Sequence, residues 1–191
     1  MPVAKGGTGQ ATDPLTSFEA SDAAYLAWNY DPQQISTQTA LPTTGQVVLS
    51  RINLRQAISV TNVLYYVGTI GSTLTSGQCF AGLYSSAGTL IGASADQSVA
   101  WAATTGLYTS ALASGPFAAG PGFVWVALMF NGTTGPAAGR ALAAGFATSN
   151  LGFAAAVSRY AHGNVTGTTS LPTQTPASLT ATATQYWCAL S

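Results

Sequence analysis

The chain has 191 residues, of which 5% are charged, and its formal net charge is zero. That length holds one domain with a real core, or a domain plus an arm, while the charged fraction falls far below the roughly 25% of an ordinary soluble domain. Zero net charge gives no footprint for nucleic acid and no polybasic patch for anionic lipid, and a neutral surface rich in Gly, Ala, Thr and Ser suits a protein held in a larger assembly or placed outside a cell.

The N-terminus lacks the basic and apolar regions of a secretory signal. No apolar run approaches the ~20 residues of a membrane span, so membrane insertion is not expected; the longest run, Phe123–Phe130, suits a buried strand. The charges are unevenly placed. Lys5 stands against Asp13, Glu19, Asp22 and Asp31 at the start, and Arg51, Arg55, Arg140 and Arg159 stand against Asp96 beyond it. Either this is chance, or an acidic arm docks on a mildly basic body. Cys79 and Cys188 are too few for a zinc site and are either buried thiols or a disulfide.

In chain order, residues 2–10 are too glycine-rich for a helix or an independent strand. They read Pro-Val-Ala-Lys-Gly-Gly-Thr-Gly-Gln and lack the Gly-Lys-Ser/Thr of a phosphate loop. Val3–Gly9 closely resembles a motif recurring in bacteriophage tail-fibre and related virion-fibre proteins. The resemblance implies a tight passage between segments of a trimeric fibre, with Lys5, Gly6, Gly7, Thr8 and Gly9 in the anchoring arm. A helix is expected near 14–30, capped by Asp13 with Pro14 in its first turn. Leu15, Phe18, Tyr25 and Trp28 fall roughly on one face, and Asp31-Pro32 stops it. A lone helix of this length needs a partner surface, so Phe18, Tyr25 and Trp28 join the arm as trimer or anchoring residues. Residues 31–45 read as a polar linker. The expected division is therefore 1–45, an attachment and trimerisation arm, and 46–191, a β-sandwich domain.

From Gln46 the grammar is that of strands. Gln46–Leu54 alternates, with Val47, Leu49 and Arg51 on one face. Ile58–Thr69 alternates cleanly and then breaks near Asn62, as a bulge or a switch to two-sided burial would produce. Gln78–Tyr84, Thr89–Ile91 and Leu107–Leu112 follow, and Val99 with Trp101 forms a short element. Phe123–Phe130 is apolar on both faces, although a one-sided antiparallel strand should alternate. A sister subunit is the economical cover for its second face, making Phe123, Trp125, Leu128 and Phe130 interface candidates; a covering loop or the helix would also serve. The Ala-rich stretches 140–146 and 151–157 are ambiguous, Leu171–Pro176 is a proline-braced loop, and Gln185–Leu190 is a final strand with Trp187 and Ala189 on one face and Tyr186, Cys188 and Leu190 on the other. About eight strands at this spacing indicate an all-β, jelly-roll-like antiparallel β-sandwich.

The body also resembles the C-terminal β-sandwich modules of actinobacteriophage minor tail and fibre proteins. The matching residues are Val60–Val63, Leu74–Tyr84, Gly88–Gly92, Ala95–Ser98 with Trp101, and Tyr186–Ser191. The resemblance implies a virion location on tail or capsid exterior, a homotrimer and contacts with other virion proteins.

Catalytic groups are sparse. His162 is the only histidine, a triad would have to recruit Asp96, and glycan cleavage usually needs two carboxylates where the body has one. No cofactor is implied and no enzyme is expected. Hydroxyl and amide side chains beside aromatics suit sugars, with Trp101, Tyr108, Arg140, Arg159, Tyr160 and His162 as candidate contacts. The expected function is a non-enzymatic virion protein that projects a β-sandwich toward host-surface glycan. The alternatives are a capsid decoration or head-fibre protein that stabilises the shell and, more remotely, a cell-wall polymer hydrolase.

Overall fold

The computed structural model of the chain describes residues 19–141 and 150–191; Lys5–Gly9, Phe18 and most of 140–146 lie outside them. The fold is mostly β, 45% strand in antiparallel sheets with one short helix, so the all-β sandwich is the observed class.

In chain order the described strands are β1 (Ala27–Trp28), β2 (Ile35–Ala40), β3 (Val48–Leu54), β4 (Ile58–Val60), β5 (Asn62–Thr69) and β6 (Ser72–Leu74). Then come β7 (Phe80–Ser85), β8 (Leu90–Ala93), helix α1 (Ser98–Ala103), β9 (Gly106–Ala111), β10 (Phe117–Ala119) and β11 (Gly122–Met129). The last are β12 (Gly132–Thr134), β13 (Ala137–Ala141), β14 (Tyr160–His162), β15 (Thr180–Ala181) and β16 (Cys188–Leu190). One six-stranded sheet runs β1-β16-β5-β13-β2, with β9 on the free side of β5; the other runs β15-β14-β3-β11-β7-β8.

Period-two side chains explain the layers. Val63, Tyr65, Val67, Cys188 and Leu190 of the first sheet meet Ile52, Leu54, Leu83, Val124, Val126 and Leu128 of the second in the central core. The break anticipated near Asn62 falls at Thr61. There β4 ends its pairing with β10, and β5 begins pairing with β9 and β16.

Two expectations change. Residues 20–30 are not a helix. Ala20–Ala23 form a single 3-10 turn closed by Ala24 at φ 60°, and β1 pairs with β16. Tyr25 and Trp28 pack edge-on instead, at ring-centroid distances of 6.0 Å from Trp187 and 6.2 Å from each other, respectively for Tyr25–Trp187 and Tyr25–Trp28. An open strand edge offers backbone partners that an isolated helix lacks, as Leu26 N donating to Leu190 O (2.8 Å) illustrates. The segment expected as a linker holds β2, paired along β13, so position 45 marks no change of architecture.

The outer face of β11 is closed by the chain itself. Trp125, Ala127 and Met129 pack with Val47, Leu49, Tyr84, Ala161, Leu171 and Leu179. The proline-braced loop lies across this face, with Tyr84 Oη donating to Pro172 O (2.8 Å) and Gln174 N to Gly88 O (2.9 Å). Gly45, at φ +65°, admits the covering segment. A Cβ there would sit 2.5 Å from the Gly167 backbone. Trp125, Leu128 and Phe130 are thus buried within one chain, and Phe123 packs partly buried beside them. Their two-sided apolar pattern needs no sister subunit.

Cys79 and Cys188 are free, buried thiols. Burial pushes Cys188 and Tyr160 up to about 12 and also raises Tyr65, Tyr84 and Tyr186. Unfolded, these groups lose protons from about pH 8.5–10. The unfolded chain therefore binds fewer protons than the fold above that range, and stability falls as pH rises. Urea midpoints are expected to hold steady to about pH 8 and to drop progressively toward about pH 12; a flat alkaline profile would contradict the burial of these hydroxyls and thiols.

Candidate functional site

The candidate site forms where the segment from Asn150 to His162 folds over the edge of β3. Asn150 organises it. Its side-chain nitrogen donates to Tyr160 O (2.8 Å) and Thr182 O (3.0 Å), and its oxygen accepts from Arg159 N (2.7 Å) and Tyr160 N (3.1 Å). Arg51 N donates to Arg159 O (2.7 Å), and Trp125 Nε1 donates to Ser158 O (3.0 Å). Asn150→Ala removes all four side-chain bonds. The expected loss is about 2–4 kcal/mol of stability, since several backbone groups lose their partner at once, read as a lower urea midpoint.

Alternation puts Arg51 and Asn53 on the outer face of β3, beyond Leu49. Arg51 stacks on Phe123 (4.1 Å from guanidinium carbon to ring centroid) and lies 5.2 Å from the Phe153 centroid; Arg159 lies 4.8 Å from the same Phe153 ring. Arg51 Nε donates to Asn53 Oδ1 (2.9 Å) and Nη1 to Val157 O (2.6 Å). Burial, then repulsion from Arg159, holds Arg51 below the usual arginine range. Among the described residues neither guanidinium has an ion pair.

The four described Asp and Glu carboxylates have other hydrogen-bond partners. Glu19 and Asp22 form a capping box, and Asp31 accepts from Gln33 N. Asp96 accepts from Cys79 N and from the Ser98 hydroxyl and N. Partial burial pushes Asp96 up, and these hydrogen bonds outweigh it and hold the carboxyl below its ordinary value. The acidic-arm expectation thus has no ion pair behind it among the described residues.

A cleft of about 350 Å³ opens beside the arginines, lined by Asn29, Tyr30, Gln34, Arg51, Asn53, Arg159, Tyr160 and Gln185. Tyr30 Oη donates to Gln185 O (2.7 Å) and accepts from Ala141 N (2.9 Å), which fixes that wall. A second cleft of about 590 Å³ shares Asn53 and includes Leu26, Trp28, Arg55 and Ile58.

Of the six expected sugar contacts, only Arg159 and Tyr160 line this cleft. Trp101 is a core residue, fully buried, with its indole N–H donating to Tyr65 Oη (3.0 Å). Tyr108 stacks on Tyr65 at 5.7 Å, its hydroxyl donating to Ala100 O (2.7 Å). Arg140 hydrogen-bonds Thr39 across β13 and β2. His162 Nδ1 lies 2.9 Å from Gln46 Nε2. These four carry hydrogen bonds or stacking that the framework uses.

Sequence reasoning missed Arg51, Asn53, Phe153 and Gln34. The signal for Arg51 was an arginine continuing an otherwise apolar strand face. Among the described residues no group of three His, Cys, Asp or Glu side chains could hold a metal, and no helix is long and apolar enough to cross a membrane.

The fold and cleft define an all-β sandwich carrying an arginine-, amide- and aromatic-lined surface site. No protein-family model matches the chain, and no match was found among curated proteins.

Proposed function

We propose that the chain is a non-enzymatic structural and adhesive virion protein, of the tail-fibre or minor-tail type, whose β-sandwich contacts host-surface glycan through the Arg51–Arg159 cleft. The carrying observation is the cleft itself. Guanidinium and amide groups that can hydrogen-bond sugar hydroxyls stand there beside phenylalanine rings, the mixture of polar and apolar surface that ligand sites combine. The virion placement is supported by the Val3–Gly9 motif, by the resemblance of the body to phage fibre modules and by the low charge.

A homotrimer would use surfaces other than Phe123–Phe130. The outer face of the first sheet is the better candidate. Tyr66 and Leu107 pair across β5 and β9 on that face and are 38% and 51% exposed, whereas Leu64 and Trp187 on the same face are already covered by Tyr25 and Trp28 of the same chain. Light scattering on the full chain is expected to give a trimer, and the double variant Tyr66→Lys, Leu107→Lys a monomer; a wild-type monomer at micromolar concentration would remove the trimer from the proposal.

Binding of purified protein to host cells or their isolated glycans, weakened by Arg159→Gln, tests the adhesive function. No binding, with capsids that weaken when the protein is removed, would place it among shell-stabilising decoration proteins instead. Release of sugar fragments would overturn the non-enzymatic reading.

A further inference from the structure

We infer that the Arg51–Arg159 cleft selects a sugar bearing an anionic substituent, a carboxylate or a phosphate ester, over a neutral sugar; the inference rests on the glycan-binding reading of this cleft. Two guanidinium groups are held as neighbours over one ring, Phe153, at 5.2 and 4.8 Å. Like charges placed together repel, as Arg159 does Arg51, and no carboxylate is among the residues that line the cleft. The protein has five acids in all; Glu19, Asp22 and Asp96 are engaged in turns away from the cleft, and Asp31, between the lining residues Tyr30 and Gln34, accepts from Gln33 N and is not itself among the lining residues. The residues around the cleft, including Asn53, Gln34 and Tyr160, add no negative charge. The cleft therefore attracts an anion and disfavours a cation.

Arginine geometry makes the preference specific. Stacking on Phe123 and Phe153 occupies the guanidinium faces and leaves edges for planar, two-point hydrogen bonding. Arg51 commits Nε and Nη1 to Asn53 and Val157 O, so its Nη2 remains for a ligand. The Arg159 side chain has no hydrogen bond among the described residues. One anionic group can thus bridge the pair while the cleft amides receive the sugar hydroxyls. A volume of about 350 Å³ is at the small end of ligand sites and suits a terminal residue of a polymer rather than a long segment.

The test is titration of the full-length protein, followed by amide chemical shifts, with glucuronic acid, glucose 6-phosphate and glucose. Both anionic sugars, or one of them, are expected to bind at least about tenfold more tightly than glucose. The advantage should shrink as salt rises. Which of the two binds better distinguishes a uronic-acid polymer from a phosphate-bearing one. Arg159→Gln, an exposed position, is expected to weaken glucuronic acid and glucose 6-phosphate at least several-fold more than glucose, removing most of the advantage with the far-ultraviolet spectrum unchanged; Arg51→Gln should act in the same direction. Equal binding of all three sugars would overturn the anionic preference and leave the glycan site standing. Absence of binding by any sugar would remove both.

Discussion

Trp101→Ala is expected to lower the free energy of unfolding by about 3–5 kcal/mol, the range for deleting a large buried aromatic. Trp101 is fully buried although it sits on a helix of six residues. Its ring meets Tyr65 edge-on at 5.8 Å and 88°. The indole N–H donates to Tyr65 Oη, which lies 2.7 Å from Ser110 Oγ, which in turn donates to Gln97 Oε1 (3.2 Å). Truncation opens a cavity and strips one member from a buried polar chain, and both effects are unfavourable. Trp101→Phe separates them: it keeps much of the volume and loses the N–H, for an expected cost of about 1–2 kcal/mol. Urea unfolding measures both variants. Because small domains are stable by only about 5–15 kcal/mol, the alanine variant should be partly unfolded at mild temperature. If Trp101→Ala were as stable as the parent and lost only sugar binding, the core placement of Trp101 would be wrong.

Trp125→Ala is expected to cost a similar ~3–5 kcal/mol, with a different signature. Trp125 lies on the outer face of the second sheet, fully buried, with Phe123 edge-on at 4.9 Å. Its N–H donates to Ser158 O, and Arg51, its cross-strand neighbour, donates its backbone N–H to Arg159 O. The ring therefore anchors the segment that carries Arg159 and Phe153. Its loss should raise hydrogen exchange across residues 150–181 before it affects β5 and β16, and should weaken sugar binding at temperatures where the variant remains folded. Uniform loss of protection throughout the chain would show that the cover and the sandwich are one cooperative unit. In Trp101→Ala the order of loss should reverse, since that ring belongs to the central core.

These two tryptophans show where the sequence was legible. An unbroken apolar run identified β11, and alternation identified β3, β5, β7 and β16. It also assigned Trp187 and Ala189 to one face and Tyr186, Cys188 and Leu190 to the other, as the separate clusters bear out. It recognised that β11 is apolar on both sides. It did not reveal what closes the second side, because Leu171 and Leu179 reach Trp125 from a proline- and threonine-rich stretch with no strand period of its own. Tyr25 and Trp28 misled for a related reason. Their spacing fits a helix face, yet the same side chains meet Trp187 from a turn and a two-residue strand, and nothing local distinguishes the two outcomes. Trp101 reads in the sequence as an available aromatic in a short element, whereas its indole N–H faces Tyr65 inside the core.

The candidate site was half visible. Arg159 and Tyr160, both sequence candidates, line the cleft, and alternation puts Arg51 on the outer face of its strand, but no pattern joins residue 51 to residues 153 and 159. That join depends on β14 pairing with β3 and on four hydrogen bonds from Asn150.

The amino-acid sequence by itself determined that the chain builds antiparallel strands with defined inner faces and carries very few charges, because side-chain alternation and charge content are properties of neighbouring residues. Only the tertiary structure decided that the chain covers its own outer sheet, that residues 20–28 form a 3-10 turn and a two-residue edge strand where a helix was expected, and that two arginines stand together over one phenylalanine. Each of these rests on contacts between residues far apart in sequence, whose pairing is selected by packing and backbone hydrogen bonding in three dimensions.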